Sequence, residues 1–304
     1  MVDKDLPLIF THMPKTGGMS MFASLSEYYG SRIADMYNIS AYEAKQAPAE
    51  DFLKDPSMCI YAGHFPFGLH EWLARPSCYM AMVRNPVDRL VSLYQYSIQY
   101  RLHIRNMRET TGKSYKEVFA DKDAADFYRD FLPWVKAPET FSGFLSSNSP
   151  EIDNGMVRRF SGYGLNPEPC PKEALEQAKD NIDQYYSVVG LLEKYAETVG
   201  MLRSAFGWNL TEFHINKTNE HSRKNSRLKT DARKRIKAKN PLDIALYDWL
   251  VKRFEKTSQS DAKPIEVAGQ NRTDYENVPL WHAIGSSPIR KSVMELSPEK
   301  HKPR

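Results

Sequence analysis

Two short stretches of this 304-residue chain hold the residue types that bind anions. The first is His12-Met13-Pro14-Lys15-Thr16-Gly17-Gly18-Met19-Ser20. Glycines let a backbone curl until several N–H groups face one anion, and a helix starting there adds the positive end of its dipole. Lys15 brings a mobile point charge, and Ser20 a hydroxyl in the first helical turn. Phosphate binding is the chemistry these residues suit; the plainer alternative is a glycine-rich turn with a solvated lysine. The order is not that of the G-x-x-x-x-G-K-[ST] loop, because Lys15 precedes the glycines. The second stretch is Val83-Arg84-Asn85-Pro86-Val87-Asp88-Arg89-Leu90-Val91-Ser92. An arginine fork and a serine hydroxyl can converge on a second oxyanion, although Arg84 alone could equally be a surface ion-pair partner. Two anion sites at neighbouring strand ends imply a nucleotide phosphorylated in two places.

A third stretch, Gly63-His64-Phe65-Pro66-Phe67, places a histidine at the end of another apolar run. An imidazole with a pKa near 6.5 can take a proton at pH 7. A histidine at a strand end is nonetheless more often structural than catalytic. His12 and His70 are further candidates. Arg158-Arg159, on an expected helix, reads as an acceptor-binding pair or as part of a surface helix.

These stretches need elements to hold them. Leu6–His12, Met58–Ala62, Cys78–Val83 and Ser187–Leu191 are apolar runs that read as buried strands, and Thr211–Ile215 as a possible short fifth. Helical spacing covers Ser20–Tyr29, Lys172–Tyr185, Glu193–Phe206 and Leu242–Phe254, with a further helix expected over Ser114–Phe131. Asn85 is suited to cap a helix, Pro86 to its first position and Asp88 to its first turn, so a helix is predicted from Pro86 to about Arg101. Strands alternating with helices give an α/β fold with a central parallel sheet, a strand–loop–helix nucleotide site resembling a P-loop, flanking helices and helical insertions. In such sheets ligands bind at the carboxyl ends of strands, where Arg84 falls. The expected organisation is one domain over 1–257, with a helical insertion at about 103–185. A polar tail, extended or partly disordered, follows over 258–304.

The composition is that of an ordinary globular chain, 41% hydrophobic and 26% charged. Cys59, Cys78 and Cys170 are odd in number and lack C-x-x-C spacing, which disfavours a disulfide framework or a zinc knuckle; Cys59 and Cys78 read as buried thiols in strands. No run of 18 apolar residues and no hydrophobic leader occur, so no membrane span is expected and the cytoplasm is the expected address. The net charge of +4 conceals a concentration: between 216 and 239, ten Lys and Arg residues face only Glu220 and Asp231, a net +8. That strip is either a solvated helix face or an attractor of polyanions. It lacks aromatics for base stacking, so nucleic acid is not the expected partner.

Together, PKTGG at 14–18 with Ser20 and VRNPVDRLVSLY at 83–94 resemble the sulfotransferase superfamily, and most closely its heparan sulfate 2-O-sulfotransferase-like carbohydrate branch. GHFPFGLH at 63–70, NGMVRRFSG at 154–162 and VGLLEKY at 189–195 extend the likeness, which covers roughly residues 6–225. The resemblance implies 3′-phosphoadenosine 5′-phosphosulfate (PAPS) as sulfuryl donor, 3′,5′-bisphosphoadenosine (PAP) as product, and no metal. It implies that Lys15, Thr16, Gly17, Gly18 and Ser20 hold the 5′-phosphosulfate and that Arg84 and Ser92 hold the 3′-phosphate. A later basic loop, here Asn216–Arg227 with Arg223 and Lys224, would close over the nucleotide. It also gives His64 the part of general base and Lys15 that of leaving-group stabiliser, with a hydroxyl on a sugar as acceptor. Many relatives have Thr or Ser where Met19 stands, which leaves more of the contact to Ser20 and the backbone. A small-metabolite kinase, or a non-catalytic polyanion- or nucleic-acid-binding protein, are the alternative classes.

Overall fold

The computed structural model describes residues 6–36, 53, 55–73, 76–112, 140–147, 149–164, 168–212 and 230–259. Strands β1 (Leu8–Thr11), β2 (Ile33–Asp35), β3 (Ile60–Gly63), β4 (Cys78–Val83) and β5 (Tyr186–Leu191) form one sheet in the order β2-β3-β1-β4-β5. Every pairing is parallel, with Leu8 opposite both Ile60 and Cys78, and Thr11 opposite Gly63 and Ala81. After β1 the chain runs out to β2, and after β4 it runs the other way to β5. The strand order therefore reverses between β1 and β4, the place where open parallel sheets leave a crevice at their carboxyl ends.

Both faces of the sheet are covered, which is why its strands are apolar throughout rather than alternating. Leu8, Phe10, Ile60, Ala62, Met80 and Met82 face α1 (Gly18–Tyr29), through Met21 and Leu25. On that side they also meet α6 (Tyr195–Phe206), through Val199, Leu202 and Phe206. Ile9, Tyr61, Tyr79, Ala81 and Val83 point to the opposite side. There they meet α4 (Gly155–Ser161), α5 (Ala174–Tyr185) and α8 (Pro241–Gln259), which bring Val157, Phe160, Ile182, Leu246 and Leu250. The long helix α2 (Pro86–Thr111) and the short α3 (Phe141–Leu145) enclose a third cluster of Val87, Leu90, Leu93, Phe144 and Leu145. The basic helix α7 (Thr230–Lys239) docks on it through the buried Ile236.

Several expectations need amendment. Helix α2 runs ten residues past Arg101 and ends where Gly112 turns left-handed, its N–H returning to the Arg108 carbonyl. Strand β2 had no sequence signal, and Thr211 and Glu212 are not in a strand. Cys78 is buried in β4, whereas Cys59 is only half-buried and precedes β3; all three cysteines are free. The helix expected over 114–131 and most of the tail lie outside the described residues. No described helix is long and apolar enough to cross a membrane.

The largest correction concerns Arg158 and Arg159. Neither is on a surface, with 1% and 2% of their areas exposed. Arg158 donates to the Asp153 carboxylate at 2.5 Å and to the Asp153 carbonyl. Arg159 pairs with Glu151, which also pairs with the buried Arg89 at 3.1 Å. Asp243 lies 3.7 Å from Arg89 and accepts the N–H groups of Met156 and Val157, so it caps α4 from α8. Asn154 reciprocates, accepting the N–H groups of Leu242 and Asp243 at the start of α8. Burial pushes the Glu151 carboxyl up, but Arg159 and Arg89 outweigh it and hold it below its usual range. Removing one member of a buried charge pair strands the other. Glu151→Ala should therefore lower unfolding stability by about 3–5 kcal/mol in denaturant titration; a loss below about 1 kcal/mol would show that the pair does not tie α4 to α2.

Candidate active site at the ends of three neighbouring strands

Because β3, β1 and β4 are adjacent, the sheet brings the three chemically suggestive stretches to one edge. The loop leaving β1 is tightly shaped. Met13 is fully buried, and the Thr16 hydroxyl donates to its carbonyl at 2.8 Å. Lys15 and Gly17 both adopt left-handed backbone, at φ 69° and 80°. For a lysine that conformation costs on the order of 1 kcal/mol, and the Arg84 guanidinium steadies it by donating to the Lys15 carbonyl at 3.3 Å. At Gly17 a Cβ would also lie 2.5 Å from a Leu192 methyl, so that side chain would have to shift. At Gly18 a Cβ would fall 1.9 Å from the His12 ring. The two glycines thus serve the turn and the close approach of the histidine.

Helix α1 opens directly from this loop. Gly17 caps it without a side-chain hydrogen bond, and its first turn contains no acidic residue. No acidic side chain of α1's own first turn offsets the dipole and amide groups at this end, which suits an anion. Ser20 is buried in the first turn. The Lys15 ammonium lies over the Tyr96 ring, 4.2 Å from its centroid. Burial, followed by the charge of Arg84, lowers its pKa to about 8, so it remains mainly charged at neutral pH.

The loop leaving β3 is stitched to the one leaving β1. The His12 N–H donates to the Gly63 carbonyl at 2.9 Å, and His64 Nδ1 lies 2.7 Å from the His12 carbonyl. A carbonyl only accepts, so Nδ1 must carry the proton and Nε2 must present its lone pair. The two imidazoles are 4.6 Å apart, and His12 also stacks on Phe10. Burial, then the positive charge of Arg159, pulls His64 down to about 4; burial and His64 likewise depress His12. Both rings are neutral at pH 7. His70 sits apart from this pair, packed against Phe67 and Tyr185, with Nδ1 2.8 Å from the Tyr79 hydroxyl.

At the end of β4, Asn85 accepts from the N–H groups of Val87 and Asp88, and Pro86 opens α2. Arg84 is thereby fixed at the strand's carboxyl edge, and the half-buried Ser92 lies two turns along the helix. Helix α7 lies along the same end of α2, where Arg233 pairs with Asp88 at 3.0 Å. Its Arg233, Lys234, Arg235 and Lys237 are exposed. Arg223 and Lys224 lie outside the described residues. Among the described residues, no three His, Cys, Asp or Glu side chains gather as metal ligands.

The structure thus brings Lys15, Thr16, Gly17, Gly18, Ser20, His64 and Arg84 to neighbouring strand ends. The Thr16 hydroxyl differs from the rest in being committed to its own loop. Two contributors were missed in the sequence. Tyr96 stands four residues after Ser92, a spacing that places both on one helical face, and that spacing was legible. Glu151 influences His64 through the array it forms with Arg159, and no local pattern announces it. Chemically, the edge gathers an ammonium, a guanidinium and the start of a helix, bordered by a neutral imidazole of defined tautomer. Gly18→Ala would drive a methyl into the His12 ring. It should destabilise the fold by about 1–3 kcal/mol in thermal or denaturant unfolding and shift the His12 and His64 ring resonances; unchanged resonances would contradict this packing.

A model of the sulfotransferase family matches residues 1–249. Heparan sulfate 2-O-sulfotransferase 1 of Xenopus laevis is 23% identical over 278 residues, covering 83% of this chain and 72% of that protein. The heparin sulfate O-sulfotransferase of Drosophila melanogaster is 26% identical over 226 residues, covering 68% of this chain and 58% of that protein. Human heparan sulfate 2-O-sulfotransferase 1 is 24% identical over 188 residues, covering 58% and 47%. With a family match that spans most of its length and takes in all three strand-end loops, the chain belongs to the sulfotransferase family and is a sulfotransferase.

Proposed function

We propose that this sulfotransferase moves a sulfuryl group from PAPS to a hydroxyl of a carbohydrate, with His64 as general base and Lys15 stabilising the leaving phosphate. The observation that carries the reading is the tautomer of His64. Its Nδ1–H is committed to the His12 carbonyl, so the accepting lone pair of this neutral imidazole belongs to Nε2, on a loop next to the Lys15 loop. Relatives named as heparan sulfate and heparin sulfate O-sulfotransferases support a sugar acceptor.

The residues present fit the donor. An α1 whose first turn holds no acidic residue, the Lys15 ammonium and Ser20 suit a 5′-phosphosulfate, with Gly17 and Gly18 giving the loop the tight turn that carries its N–H groups into the helix start. Thr16 keeps the loop closed by its bond to Met13. Arg84 and Ser92 suit the 3′-phosphate, and Arg223 and Lys224 are the candidates for a cover over the nucleotide. The donor supplies the sulfuryl group, already bonded to a good phosphate leaving group. His64 Nε2 takes the proton of the acceptor hydroxyl as its oxygen bonds to sulfur. The Lys15 ammonium receives the negative charge that appears on the departing phosphate oxygen as its bond to sulfur breaks. PAP and the sulfate ester are the products, and the proton leaves later from His64.

Calorimetry with PAP, and in parallel with ATP and magnesium, tests the donor assignment. Tight binding of PAP is expected; binding of ATP–magnesium alone would point to phosphoryl chemistry instead. The titrations give a second test. Protonating Nε2 removes the base and deprotonating Lys15 removes the cation, so kcat/KM should be lost as pH falls through about 4 and as it rises through about 8. An acid limb at pH 6.5 or above would show that the acting base is not His64.

A further inference from the structure

The Lys15 ammonium has an unusual neighbour. Among the described residues no carboxylate pairs with it; what faces it is the Tyr96 ring, 4.2 Å away. A carboxylate would cancel the charge that a donor needs and would occupy the ammonium's N–H groups. An aromatic face attracts the cation through its quadrupole without cancelling the charge or presenting a competing strong acceptor.

The ring itself is well supported. Tyr96 lies on α2, where it packs against the cluster that contains Val87, Leu90, Leu93 and Phe144. Ser92 is one turn earlier on the same helical face. At the other end of the lysine, Arg84 donates to its carbonyl, where the backbone is held left-handed. The β4–α2 segment therefore grips Lys15 twice, once through its backbone and once through its charge.

We infer that Tyr96 is a positioning residue for Lys15, an aromatic rest that holds the ammonium at the mouth of the anion cradle with its hydrogen-bonding directions open to the donor. The inference rests on the reading of Lys15 as the leaving-group stabiliser. Tyr96 touches no reacting atom in this account. Its phenolic hydroxyl is dispensable and its ring is not, which separates it from a residue acting by hydrogen bonding.

The test compares Tyr96→Phe with Tyr96→Leu in the full chain. With PAPS and a polysaccharide acceptor, Tyr96→Phe should stay within about twofold of the unaltered enzyme. Tyr96→Leu should lose about 10–30-fold in kcat, the range expected for a partly desolvated cation–π contact. Donor KM and PAP affinity should change by less than about threefold, a split that mere disruption of the fold would not give. In a Lys15→Ala background, Tyr96→Leu should add no further loss. A readout independent of turnover is the resonance of Lys15 after reductive methylation with a carbon-13 label, assigned by its disappearance in Lys15→Arg. It should show a ring-current displacement in the unaltered protein and in Tyr96→Phe, and lose it in Tyr96→Leu. An undisplaced Lys15 signal in the unaltered protein would overturn the inference, and that reading stands even if Tyr96→Leu fails to fold. Equal loss from Tyr96→Leu with and without Lys15 would overturn it as well. If the unaltered protein neither binds PAP nor turns over PAPS, the functional reading fails while the resonance still reports whether Tyr96 holds Lys15.

Discussion

Two hydrogen bonds across the ends of β1 and β3 organise the site: His12 N–H to the Gly63 carbonyl, and His64 Nδ1–H to the His12 carbonyl. The first continues the strand pairing by one residue. The second uses the carbonyl of that same residue to fix the ring of His64, its tautomer and the direction of its lone pair. Moving His12 would disturb His64 at once, and Gly18 also, because the His12 ring occupies the space of a Cβ there. The β1–α1 loop and the His64 imidazole are thus joined through one residue, His12.

That arrangement needs a rigid support, and a buried array of charges provides it. Glu151 joins Arg89 of α2 to Arg159 of α4, and Asp243 and Asn154 cap α4 and α8 reciprocally. Desolvating these groups is expensive, and apolar side chains of similar volume would often hold a fold as well. What apolar packing would not supply is the field: burial is the larger cause of the low pKa of both His64 and His12, and the positive charge of Arg159 lowers both further. The Phe67 N–H also donates to the Arg159 carbonyl, which ties the loop after His64 to α4.

Much of the sheet was legible because strands covered on both faces must be apolar throughout. β1, β3, β4 and β5 each stand out as an unbroken run, whereas the three residues of β2 are too few to form a pattern. The expected end of helix α2 near Arg101 falls short because no stop signal stands there; Leu102, Arg105, Met107, Arg108 and Glu109 favour its continuation to the left-handed stop at Gly112. The Asn85–Pro86 start was unambiguous because a cap, a fixed φ and an N-terminal acid all agree. The placement of the glycine loop and Arg84 at neighbouring strand ends was legible because each directly follows an apolar strand run. Arg158 and Arg159 were misread for the opposite reason. A charged pair in sequence carries no sign of the carboxylates that will surround it, and Glu151 reaches Arg159 only after the chain turns at 150–152. Tyr96 resembles any core aromatic until the Lys15 ammonium is seen above it.

The small net charge also takes on structure. The described part of the cationic strip is the helix α7, which buries Ala232 and Ile236 and turns most of its Lys and Arg side chains to solvent. Whether a neutral His64 takes the acceptor's proton during sulfuryl transfer is decided by turnover of His64→Ala with labelled PAPS and a heparan-type polysaccharide. With His64 as the base, kcat should fall about 10²–10⁴-fold with PAP affinity unchanged. Near-normal turnover with intact PAP binding would contradict it.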